Sequence, residues 1–266
     1  MSSSKHDPHV TADISYDPEL FSSIAAAEDD HFWFRARRRV LETLLRQLAP
    51  TLPAQSVLEI GCGTGNVTRT IVDVFGADSV IAMEPHGNAV EIARRRLTCR
   101  VVEGDLAAPP VAGPFGLVGM FDVLEHLPDE AAALESVFEL VAPGGAFLLT
   151  VPARQSLWSY FDEASGHFRR YEVEGLRDAL ERAGFRIEYV TELFSLLFPM
   201  MWLGRRLAGL RRGDVERERA KVAAELRSPP LVNGALAWVL GREARRVGAR
   251  RPAPFGTSVV AIARRA

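Results

Sequence analysis

The chain has 266 residues, 47% hydrophobic and 25% charged, the balance of an ordinary globular protein with one sizeable core or one core carrying an elaborated cap. That composition excludes a disordered chain or a collagen-like one, and two cysteines, Cys62 and Cys99, cannot staple a chain this long. The 32 basic residues, only Lys5 and Lys221 being lysine, nearly balance 34 acidic ones to leave a net charge of −2, so no overall field favours nucleic acid.

Residues 1–19 are polar, lack the apolar stretch of a secretory signal and read as a flexible tail, with a cytoplasmic location as the expectation. Residues 20–50 read as covering helices. Glu28, Asp29 and Asp30 close the first, and Val40, Leu41, Leu44, Leu45 and Leu48 recur at helical spacing in the second, ahead of Pro50. From residue 56 the pattern alternates. Apolar runs at Val57–Ile60, Val80–Met83, Val101–Val102, Leu117–Val123 and Ala146–Val151 are separated by helical stretches near 66–75, 87–97 and 129–141. Strands joined by helical crossovers predict an α/β fold, a doubly wound, mostly parallel sheet covered on both faces. A loop with a short helix (152–170), an amphipathic helix (172–183) and a strand (185–193) follow, completing a Rossmann-like core over 54–193 and 255–264 within a single domain, 20–266.

Residues 194–253 read as a helical, Arg-rich cap inserted before a last strand, SVVAIA at 258–263, which needs a sheet edge and finds the simplest one at 185–193. Phe194, Phe198 and Trp202, spaced by four, predict one helix face, followed by Arg205, Arg206, Arg211 and Arg212; Pro199 predicts a break in its middle. The apolar run Leu193–Leu203 is too short to span a bilayer, which takes about 20 residues. It reads as core, as the wall of an acceptor pocket or as a peripheral membrane contact.

The chemistry concentrates in VLEIGCGTGNVT, 57–68. A strand runs into Gly61, Gly63 and Gly65 and then a helix, so the backbone turns tightly and a ligand can approach with no Cβ in the way. The spacing is G-x-G-x-G, unlike the G-x-G-x-x-G of dinucleotide folds. Glu84 ends the second strand, where a carboxylate suits a ribose diol. Asp105 and Leu106 follow the third, where an adenine would find an acceptor and an apolar surface. Ligands of such sheets bind at this carboxyl edge.

Gly61–Gly65, Glu84, Asp105, FDVLEHL at 121–127 and PGGAFLLTVP at 143–152 resemble the class I S-adenosylmethionine-dependent methyltransferases, over about 54–152 and the strand 258–263. The resemblance implies a seven-stranded sheet with an antiparallel last strand and S-adenosyl-L-methionine as cofactor. It puts the glycines near the methionine moiety, Glu84 at the ribose, Asp105 and Leu106 at adenine, and Phe121 and Asp122 beside the donor, with Glu59 and Pro85 also among the candidate cofactor contacts. Gly116 departs from the pattern, since relatives often carry aspartate there. HFWFRARRR, 31–39, resembles the N-terminal helix of one bacterial branch; Trp33 and Phe34 would then shield the sulfonium, and Arg37 or Arg38 would hold an anion. The alternative is an amphipathic helix packed on the sheet.

Leaving the fifth strand, the segment 158–172 carries Tyr160, Asp162, Glu163, His167, Arg169, Arg170 and Tyr171, a density that favours a site. With Trp33, Arg37, Phe198 and Trp202, the residues Tyr160, Arg169, Arg170 and Tyr171 are the candidate acceptor contacts. Glu163, His167 and His126 are the candidate bases, with a structural histidine as the other reading of His126. The expected reaction is methylation of a small hydrophobic or amphipathic metabolite. Two versions are O-methylation in secondary metabolism and carbon methylation of a prenyl diphosphate, where Glu163 would take the proton and Mg²⁺ would shield the phosphates; the sequence does not fix the methylated atom as C, N or O, and no other metal is assigned. An NAD(P)-dependent reductase is the first alternative, opposed by the glycine spacing and by the absence of a Tyr-x-x-x-Lys context. A non-catalytic nucleoside-binding module of the same fold is the second.

Overall fold

The computed structural model describes residues 18–208 and 230–266. The predicted tail and the middle of the predicted cap, including Arg211 and Arg212, lie outside the described residues, as do the side chains of Tyr160, Arg205 and Arg206. The chain opens with α1 (Pro18–Ala27) and α2 (Phe32–Leu48), then alternates through β1 (Val57–Ile60), α3 (Asn66–Phe75), β2 (Val80–Glu84), α4 (Gly87–Arg96), β3 (Arg100–Glu103), β4 (Phe115–Phe121), α5 (Glu130–Leu140) and β5 (Val141–Pro152). After a short α6 (Tyr160–Ala164) come α7 (Val173–Arg182), β6 (Phe185–Leu193), α8 (Leu197–Ala208), α9 (Pro230–Gly241), α10 (Glu243–Gly248) and β7 (Ser258–Arg265).

The seven strands form one sheet in the order β3-β2-β1-β4-β5-β7-β6. Strands β1 to β5 pair in parallel, and β7 runs antiparallel to both β5 and β6, so only β7 is reversed. The order turns back at β1, between β2 and β4, which opens a crevice at the carboxyl ends of these strands.

Alternation along the strands supplies both faces. Leu58, Ile60, Val118, Met120, Leu149, Val259 and Ala261 pack under α5 and α7. Val57, Leu117, Leu148, Val260 and Ile262 turn the other way, onto the Val40–Leu48 stripe of α2. The same layer holds Leu240, Ala244 and Val247 of α9 and α10. These two helices, from the segment expected to form a cap, therefore lie along α2.

Phe194 differs from its predicted place on a helix face. It precedes α8, takes φ 62 and is fully buried against Trp33 and the α2 layer. Its amide and that of Ser195 both donate to the Glu243 carboxylate, the Ser195 bond at 2.9 Å, so α10 ties down the turn after β6. Pro199 is the third residue of α8, in the first turn, where no helical donor is lost and no break results. Gly116 also finds its reason. A Cβ there would overlap the Ala54 carbonyl oxygen, at a register shift between Phe115 and Leu117.

Candidate cofactor and acceptor site

The turn after β1 stands on hydrogen bonds from the next strand. Gly61 and Cys62 donate their amides to the Met83 carbonyl at 2.8 and 3.0 Å. Gly61, Gly63 and Gly65 take φ of 69, 54 and 87, a region that costs an L side chain. A Cβ on Gly61 would strike Val123 of the segment after β4, whereas Gly63 faces open space.

Glu84, at the end of β2, reaches across to this turn. Its Oε2 accepts the Gly63 amide at 2.8 Å, and Oε1 accepts the His86 amide at 3.2 Å and meets His86 Nδ1 at 2.7 Å. That contact raises the His86 pKa. Glu59, on β1, is buried, and its Oε2 lacks a hydrogen-bond partner. Burial pushes its pKa up to about 8, against the pull of Thr68 and Arg37, so the carboxyl is mostly protonated at neutral pH. Pro85 and Asp105 are exposed, Leu106 is buried, and Asp105 Oδ1 accepts the Ala107 amide at 2.8 Å.

The end of β4 forms the next part of the rim. Asp122 takes φ 56, unusual for a non-glycine, while its amide donates to the Thr150 carbonyl at 2.8 Å. Arg37 reaches down from α2 with Nη2 3.0 Å from Asp122 Oδ2 and 3.2 Å from the Phe121 carbonyl oxygen, its guanidinium 5.0 Å from the Trp33 ring. Sequence reading placed all four residues in the site without their pairing. It also missed Glu28, whose buried carboxylate accepts the Thr64 hydroxyl and Arg96 Nη1, the latter at 2.6 Å, and so fastens the end of α1 over the glycine turn. The acidic cluster 28–30 carried no signal that separated Glu28 from its neighbours.

The segment after β5 is knotted about Asp162. Fully buried, Asp162 closes a capping box with Ser159 at the start of α6, and its Oδ1 meets His167 Nδ1 at 2.9 Å and Arg170 Nε at 2.6 Å. Arg169 donates to the Pro128 carbonyl at 2.7 Å, and Tyr171 is buried beside Ala153. The Phe168 amide donates to the Glu125 carbonyl at 2.8 Å, which draws this segment onto the turn after β4. His126 and His167 meet edge to face at 4.6 Å. Burial, and then His167, lower the His126 pKa to about 3, so it is neutral. Glu163 is exposed and accepts the Trp158 indole N–H at 3.4 Å; the structure does not bring it to the two histidines. Phe198 is half-buried, 5.7 Å from Phe255 with Arg154 over its ring at 5.3 Å; Trp202 is half-buried further along α8.

Comparison with known proteins decides what this edge belongs to. Residues 32–190, well over half the chain, match the family model described as a methyltransferase domain. The chain belongs to the class I S-adenosylmethionine-dependent methyltransferases. One relative of this methyltransferase, 31% identical over 65% of the chain and 66% of its own length, is a Mycolicibacterium smegmatis protein described as a probable S-adenosylmethionine-dependent methyltransferase. Another is the trans-aconitate 2-methyltransferase of Rhizobium leguminosarum, 32% identical over 44% of the chain and 45% of its own length. The matches thus span less than two thirds of either relative. Among solved structures, an S-adenosylmethionine-dependent methyltransferase from Clostridium acetobutylicum shares the fold, with TM-score 0.54 and 11% identity over 92% of this chain and 96% of its own.

Proposed function

We propose that the chain transfers the methyl group of S-adenosyl-L-methionine to a small apolar or amphipathic metabolite. The observation that carries the donor half is the β1–β2 edge: an open Gly63 backbone, its amide on Glu84, and beside it a buried Glu59 oxygen without a partner. A carboxyl buried so is suited to a cationic amino group, whose charge would favour the carboxylate and let the proton leave to solvent. Glu84 has lone pairs left on Oε2 for ribose hydroxyls, and movement of the partly exposed His86 ring would release more of its carboxylate. Asp105 and Leu106 would receive the adenine at the end of β3.

The bound cofactor supplies an already activated sulfonium methyl. What remains for the chain is to align an acceptor with it and to exclude water, and alignment alone is worth several kcal/mol. In this reading Arg37 fastens Trp33 and α2 over the end of β4, and the acceptor enters between α2 and the segment 158–172. A base is required only for an acceptor that loses a proton. Of the candidates, His167 is the one oriented by a buried carboxylate; Glu163 and His126 lack that support. The trans-aconitate relative supports a small acceptor.

The test is transfer of tritiated methyl from S-adenosylmethionine into a fractionated metabolite extract by the purified chain. Label in a small organic product is expected. Label confined to protein or nucleic acid would contradict the acceptor class, and no label in any fraction from a chain that binds S-adenosylhomocysteine would leave a nucleoside-binding module.

A further inference from the structure

Glu125 is a carboxylate that nothing so far employs. It lies in the turn after β4, 1% exposed, and neither oxygen has a hydrogen-bond partner. Leaving a buried carboxyl without partners is unfavourable, and the surroundings do not relieve it. The two guanidiniums within electrostatic reach, Arg37 and Arg170, are already paired with Asp122 and Asp162. Two imidazoles face it instead. One ligating atom each from Glu125, His126 and His167 falls within 4.8 Å of the others, the sole such cluster of three among the described residues.

We propose that Glu125, His126 and His167 bind one divalent transition-metal ion, with Zn²⁺ the best match. Two imidazoles and a carboxylate are the donor set of an open zinc site, and metal–ligand bonds of about 2.0–2.2 Å require only a small further closing of these side chains. Mg²⁺ prefers an all-oxygen shell and suits the set poorly. The outer shell is built as well. Asp162 holds His167 at Nδ1, leaving the opposite edge of the ring for the ion, and the Ser165 backbone carbonyl holds His126; such partners fix the orientation of metal-bound imidazoles. The Phe168 amide on the Glu125 carbonyl brings the two halves of the site together.

Three protein ligands leave a position open. The cluster adjoins Asp122 at the end of β4, so an oxygen of the acceptor is the natural fourth ligand, with His126 and His167 then serving as ligands in place of bases. This last step rests on the methyl-transfer reading; the metal site itself does not.

The test is calorimetric titration of the tag-free, metal-stripped full chain with ZnCl₂, and optical titration with CoCl₂, with no methyl donor present. One saturable strong site is expected, with visible Co²⁺ bands in the region of low-coordinate complexes. Affinity should fall by more than about tenfold in both Glu125→Gln and His167→Gln. His6 and His9 of the tail are retained in every protein and cancel in the comparison. A second readout needs no variant: Zn²⁺ should protect His126 and His167, and not His86, from diethylpyrocarbonate. Absence of a saturable site in the wild-type chain, equal affinity in well-folded variants, or unchanged reactivity of the two histidines would each overturn the proposal.

Discussion

Glu59 carries a charge penalty that a donor can relieve. Its carboxyl stays protonated in the folded chain up to about pH 8, because burial opposes ionisation, whereas in the unfolded chain it ionises near its ordinary 4.5. The unfolded state therefore binds fewer protons over that window, and stability falls as pH rises from about 4.5 to about 8, by up to about 1.4 kcal/mol per unit. Glu59→Gln should remove this part of the slope and leave the variant more stable at neutral pH, as read by urea melts at pH 5, 6.5 and 8. The same variant should bind S-adenosylhomocysteine more weakly, which separates a site residue from an incidental buried acid. Glu84→Ala should weaken that binding by about 1.5–3 kcal/mol, the value of hydrogen bonds to a buried charge; an unchanged affinity by calorimetry would remove Glu84 from the site. The places of Glu84 at the end of β2 and of Asp105 just after β3 were legible in the sequence, because the strand pattern marks the carboxyl edge of the sheet. Glu125 was not singled out in the sequence, because its burial depends on the distant segment 158–172, whose Phe168 amide docks on the Glu125 carbonyl.

At the scale of elements, local pattern was a good guide wherever one element met one neighbour. The helix at 66–75 and the strands at 57–60 and 185–193 stand at their predicted bounds, because glycines or strand alternation mark their ends. The reading faltered where tertiary contacts overrode local spacing. The Phe194, Phe198 and Trp202 spacing suggested one helix face, yet the Glu243 carboxylate captures the Phe194 and Ser195 amides and starts α8 three residues later. Gly116 looked like a departure from the family pattern and is a site of backbone contact with Ala54. Gly116→Ala should therefore destabilise the fold by about 1–3 kcal/mol, the usual cost of overpacking. An unaltered Tm in calorimetric scans would mean that the β1 and β4 entry strands adjust freely.

For the molecule as a whole, the parallel sheet followed from the alternation of elements and the β6–β7 pairing from the need of the last strand for a partner, whereas the reversal of β7 was implied by the family resemblance. The position of α9 and α10 followed from none of these. A helical insertion before the last strand reads as a cap, and in the structure its residues Leu240, Ala244 and Val247 close the α2 layer, while α2 reaches the end of β4 through Arg37 and Asp122. Arg37→Ala should consequently loosen α2 and raise the KM for the donor while leaving the melting of the α5–α7 layer nearly unchanged, a split that hydrogen exchange with peptide resolution would detect. The most direct measurement is a crystal structure of the chain with S-adenosylhomocysteine. It should show the adenosine on the carboxyl ends of β1, β2 and β3, with the ribose hydroxyls on Glu84, the amino group at Glu59 and the His86 ring displaced. A nucleoside bound elsewhere, with Glu84 still held by His86 and Glu59 still unpartnered, would contradict the assignment of this edge to the methyl donor.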